Sequence, residues 1–129
     1  MKKLKKKINI TVEKTASGYS AFAEDLGVYT TSADIPSLYS NLLEATNLHY
    51  EDLGYFIAND NLKLSIDLQQ FFQHYKVLNA NFLAKRIGMN PSLLSQYVRG
   101  KKQPSYKQTQ KILLGIQDIG IELSSINFI

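Results

Sequence analysis

Between Asn90 and Ser105 the chain sets out side chains whose chemistry is hydrogen bonding and charge pairing. Asn90, Ser92, Ser95, Gln96 and Arg99 follow at helical spacing, and Lys101, Lys102 and Ser105 come directly after. Steps of three and four residues bring such groups to one face of a helix. Amide and guanidinium groups on that face suit the edges of base pairs, and lysines suit phosphates. This is a set for recognition rather than bond making. His49 and His74 have neither a nucleophile nor an orienting acid beside them, and neither has a second histidine at metal-binding spacing. The chain has no cysteine, which removes disulfide and thiolate chemistry. We therefore expect no catalytic residue, no metal, no cofactor and no enzymatic activity.

The elements that must hold this face surround it. Leu83, Ile87 and Leu94 are spaced to fill a core, and Ala84 is small where two helices would cross. Gly88 permits the left-handed turn between them. Asn79 can cap the first helix of the pair, with Leu78 and Leu83 as a hydrophobic staple. Asn90 followed by Pro91 caps the second, which ends at Gly100. Upstream, Asp67-Leu68-Gln69-Gln70 opens a helix with Leu68, Phe71, Phe72 and Tyr75 on one face. Downstream, Ser105 to Gln108 is a capping box, and Ile112, Ile116, Ile119 and Leu123 form the stripe of a long last helix. Residues 67–129 thus read as an all-α helix-turn-helix domain.

Residues 1–66 have a different texture. Ile8, Ile10 and Val12 alternate with polar residues as in a half-buried strand. Residues 15–18 read as a hairpin loop, followed by strands over Tyr19–Ala23 and Val28–Thr31. Asp34 can cap a helix that has Pro36 in its first turn and runs from Ile35 to about Leu48. Its stripe is Ile35, Leu38, Leu42, Leu43 and Thr46. Leu62–Ile66 alternates again. The pattern is an antiparallel-rich β-β-β-α-β domain, so the chain is α+β. The aromatic pairs Tyr19/Phe22 and Phe71/Phe72 are expected in the core. Lys2–Lys7 is expected to be a solvated, poorly ordered end, with a mobile tail touching nucleic acid as the alternative. The alternation from Ile8 onward makes no secretory apolar run, and no segment has the length of a membrane span. A cytoplasmic chain with no membrane partner is the expectation.

Charge is divided between the halves. Residues 8–75 carry two lysines against nine acids, whereas residues 76–129 carry eight basic residues against two acids. An acidic front suits a basic partner, and a basic back suits phosphates.

The stretch Leu83-Ala84, Gly88-Met89-Asn90, Leu94-Ser95, Tyr97, Arg99-Gly100 and Pro104-Ser105 resembles the helix-turn-helix of phage-repressor-like (XRE-type) regulators. The resemblance implies that the second helix of the pair enters the major groove of duplex DNA. Ser92, Leu93 and Gln96 would then face base edges, with Leu93 against a thymine methyl, and Asn90 and Ser95 would flank them. Arg99, Lys101, Lys102 and Ser105 would hold phosphates. Two family contacts are missing, because Ala80 replaces a phosphate-touching glutamine and Pro91 a polar base-contacting residue. Two copies presenting helices about 34 Å apart are expected, as a homodimer or higher homo-oligomer.

The front half resembles the HicB antitoxin family through Gly18-Tyr19, Asp25-Leu26 and Thr31, followed by a helix. Gly27 alone remains of the usual Pro-Gly pair, and Ala33 stands where glycine is common. The resemblance implies a truncated RNase H-like fold. It also implies an antitoxin of a type II toxin–antitoxin system, which binds a small basic HicA-like ribonuclease toxin and represses its own operon. Glu24, Asp25 and Tyr29 are the residues expected to meet the toxin. One alternative is a stand-alone regulator whose front domain senses a ligand or dimerises. The other is an enzyme with a DNA-targeting module, which would need Glu13, Glu24 and Asp25 to gather around metal ions.

Overall fold

The computed structural model describes residues 1–128, and its first element corrects an expectation: the lysine-rich start is folded. Lys2–Lys3 form a short strand, β1, that pairs in parallel with β5 (Tyr55–Phe56). Leu4 is buried, and its N–H donates to the carbonyl of Phe56 at 3.0 Å.

Alternation then produces the main sheet. β2 (Ile8–Thr15) turns at Ala16 and Ser17 into β3 (Gly18–Ala23), which pairs antiparallel with β4 (Val28–Ser32). The return strand β6 (Leu62–Ile66) lies parallel to β2 on its other side, giving the order β4-β3-β2-β6 in a mixed sheet. Its core-facing residues include Ile8, Ile10, Val12, Ala21 and Ala23.

Those residues share a core with Leu38, Leu42 and Tyr50 of α1 (Ile35–Glu51). Asp34 caps α1 by accepting the N–H of Ser37 at 2.8 Å. The helix runs past Leu48 because no breaker intervenes before Gly54, which has φ +82°. Ile35, expected in the buried stripe, is exposed at the first turn. Asn47 reaches from α1 to Ile57, accepting its N–H at 2.8 Å and donating to its carbonyl at 3.1 Å. The expected aromatic core holds for Phe71 and Phe72, which are buried, but Tyr19 and Phe22 are only half-buried on opposite faces of the sheet.

The residues from Met1 to Asp67 form one unit, and a second begins at Leu68. The second is helical: α2 (Leu68–His74), α3 (Ala80–Ile87), α4 (Pro91–Val98) and α5 (Tyr106–Ser124). Its buried residues from α3 to α5 include Leu83, Ala84, Met89 of the turn, Leu94, Tyr97, Thr109 and Ile112. A salt bridge between Arg86 and Glu122 ties α3 to α5. The stripe of α5 ends sooner than its spacing implies: Ile112 is fully buried, whereas Leu123 is 60% exposed. No helix among the described residues is long and apolar enough to cross a membrane.

Candidate nucleic-acid interface

The turn between α3 and α4 is built from local chemistry. Asn79 accepts the N–H of Phe82 at 3.1 Å and so starts α3. Gly88 ends it in the left-handed conformation, φ +69°, which a side chain would oppose. Asn90 then accepts the N–H of Ser92 at 2.8 Å, and Pro91 takes the first helical position. Ala84 has no exposed surface, as a close helix crossing requires, and Leu94 is equally buried.

With Leu94 and Tyr97 turned inward, the opposite side of α4 faces out. Ser92, Ser95, Gln96, Arg99 and Lys101 line one open concavity of about 720 Å³, together with Ala80, Asn81 and Pro91. Gly100, φ +74°, closes α4. The N–H groups of Lys101 and Lys102 then fold back onto the carbonyl of Gln96 at 2.9 and 3.3 Å. The basic turn is therefore anchored to the helix it follows. Hydroxyl, amide, guanidinium and ammonium groups converge on one surface, which can hydrogen-bond to base edges and neutralise phosphates.

Not every residue singled out in the sequence belongs to this surface. Leu93 is half-buried and does not line the concavity, because it stands about 120° around the helix from Arg99 and only about 40° from the buried Tyr97. Asn90 spends its side-chain oxygen on the cap of α4. Ser105 does the same for α5, accepting the N–H of Gln108 at 3.1 Å. Lys102 is exposed but outside the concavity. Asn81 lies inside it and was not picked out from the sequence. Its position in the first turn of α3, next to Ala80, was the available signal, since the first amides of a helix have no intrahelical acceptor.

In the first unit, Glu24 and Asp25 occupy a short 3-10 turn, Glu24–Leu26, between β3 and β4. Gly27 ends that turn in the left-handed region, φ +63°. Tyr29 follows on β4, 66% exposed and directly opposite Phe22. The three expected partner-binding residues thus form one exposed stretch on an edge of the sheet. Glu13 is not with them. It pairs with Ser20, whereas Glu24 follows the other end of β3, about 13 Å away along the strand. Among the described residues no group of three His, Asp or Glu side chains comes together in a metal-binding arrangement. Both histidines are exposed.

No family model, no curated protein and no solved structure matches this chain.

Proposed function

We propose that this chain is a DNA-binding regulator that seats α4 in the major groove, and that it works as a HicB-like antitoxin repressing its own operon. The observation that carries the DNA reading is the shared concavity of Ser92, Ser95, Gln96, Arg99 and Lys101 over a buried Leu94 and Tyr97. A helix of eight residues is about 12 Å long, close to the width of the major groove. Gln96 reads adenine through its amide, and Ser92 and Ser95 supply hydroxyls. Arg99 and Lys101 take phosphates, as do the first amides of α3 at Ala80 and Asn81. Proline at position 91 and alanine at position 80 leave these groups to carry the contact.

The antitoxin reading rests on the resemblance of the front half and on its charge. Residues 8–67 hold two lysines against nine acids, and Glu24, Asp25 and Tyr29 are exposed together. That surface suits a basic protein. Self-association is supported by an apolar hollow of about 350 Å³ bordered by Val77, Phe82, Ile119 and Leu123. Val77 and Phe82 are 88% and 65% exposed, more apolar surface than a free helical unit gains by showing.

The test is selection of bound sites from a random duplex library by the full chain. The expected result is a consensus with two half-sites about 34 Å apart. The Gln96→Ala/Arg99→Ala double variant should select nothing, yet still protect RNA from the proposed basic ribonuclease partner. Loss of both activities together, with the fold intact, would overturn the separation of roles. Retention of the consensus would overturn the role of α4.

A further inference from the structure

The lysines at the start of the chain are held in place by an arrangement that solubility does not need. Asn61 is 3% exposed and commits its whole amide to it. Its nitrogen donates to the carbonyls of Leu4 at 2.7 Å and Lys6 at 3.0 Å, while its oxygen accepts the N–H of Ala58 at 3.0 Å. Leu4 is buried, and β1 pairs with β5. The backbone is fixed at both ends of the run, so the lysines are displayed from a rigid base.

Lys2, Lys3, Lys5 and Lys7 line one hollow of about 540 Å³ whose single carboxylate is Asp60. Asp60 takes Lys3 in an ion pair of 2.5 Å, and Lys7 donates to the carbonyl of Asp60. Lys6 is held elsewhere, over the Tyr50 ring at 5.7 Å. Lys2 and Lys5 have no carboxylate partner among the described residues. Four ammonium groups against one carboxylate make a local excess of positive charge. The remainder of the same unit is strongly acidic. Positive charge has been gathered at one corner on a fixed backbone, which favours a polyanion over scattered counterions.

We propose that this lysine platform is a second, sequence-independent contact for the phosphate backbone of duplex DNA. The choice of ligand rests on the reading that α4 binds DNA. Lysines act there as point charges that release condensed counterions. They discriminate no base, so the platform adds affinity and salt dependence without specificity.

The experiment uses the full chain, an operator duplex from the selection above and a duplex of unrelated sequence, each titrated with salt. The Lys2→Gln/Lys3→Gln/Lys5→Gln/Lys7→Gln variant should lower the slope of log affinity against log salt by about two to four on both duplexes. The preference for operator over unrelated DNA should be unchanged. The matching lysine-to-arginine variant should keep the wild-type slope, which separates loss of charge from loss of fold. An unchanged slope in the glutamine variant overturns the proposal. So does an unchanged slope with lost retention on polyglutamate, which would make the occupant an acidic protein. The α4 reading fails separately: Gln96→Ala/Arg99→Ala would then keep operator preference while the lysine variant still changed the slope.

Discussion

The backbone N–H of Lys101 donates to the carbonyl of Gln96 at 2.9 Å, so the side chain proposed to read a base and the one proposed to meet a phosphate share a rigid link. Their substitutions should nevertheless separate. Gln96→Ala should cost about 1–3 kcal/mol on the preferred site and relax specificity at one base pair. Lys101→Gln should weaken binding to every sequence alike and reduce the salt slope by about one. Fluorescence anisotropy on matched and single-substitution duplexes distinguishes the two patterns. Identical profiles for both variants would rule out the division.

Two glycines are required for different reasons, and alanine should reveal the difference. A Cβ at Gly18 would lie 2.1 Å from the carbonyl oxygen of Ser32 and 2.7 Å from the Cα of Ala33, both backbone atoms. At Gly88 nothing lies within 4 Å, and only the positive φ opposes a side chain. We expect Gly88→Ala to cost about 1–2 kcal/mol and Gly18→Ala about 3 kcal/mol, the upper end for overpacking. Urea unfolding measures both. Equal costs would mean that β4 moves aside without penalty.

Acid should weaken the cap of α1. The backbone N–H of Ser37, and secondarily its side chain, hydrogen-bond the Asp34 carboxylate and hold it below the ordinary aspartate range. A carboxyl whose folded pKa is lowered stabilises fully above its unfolded value. That contribution fades as pH falls through the unfolded value toward the folded one. Asp34→Asn keeps an acceptor without titrating, so the advantage of wild type over this variant should shrink on acidification. Asp60, lowered by its hydrogen bond from Lys3, titrates in both proteins and cancels. Parallel curves of melting temperature against pH would refute the assignment.

The exposed stretch after β3 should govern encounter with a basic protein. Reversing Glu24 and Asp25 to lysine should slow association with the proposed ribonuclease partner by about tenfold or more at low salt, with much less effect at high salt. Tyr29→Ala should act on dissociation instead, because a large half-apolar ring contributes by packing. Surface plasmon resonance resolves the two rates. DNA affinity should be unaffected by Tyr29→Ala.

What could be read in advance was what short stretches decide. Asp34, Asn79, Asn90 and Ser105 each cap the helix that follows them, and Gly88 and Gly100 take positive φ. Each depends on neighbours within a few residues. The folding of the lysine run was not legible, because two-residue strands have no alternation to detect. Their partners are remote: Asn61 holds the carbonyl of Leu4 across 57 residues. Helical spacing also does not say where a core stops. Ile35 and Leu123 continue their stripes in sequence but lie beyond the packed surface. At the candidate interface the spacing identified most of the outward face of α4. Leu93 was placed there by the resemblance rather than by the spacing, and its half-burial depends on where the helix rests on its neighbours.

The parallel pairings of β1 with β5 and of β2 with β6 join Lys2 to Tyr55 and Ile8 to Leu62. During synthesis neither can form until the second partner has left the ribosome. The meander from β2 to β4 needs only nearby residues and can close early. Within this unit β1, made before the meander, is therefore among the last elements to dock. Until Asn61 emerges, the lysine segment has no partner to dock on, and completion of β6 turns it into part of the folded surface.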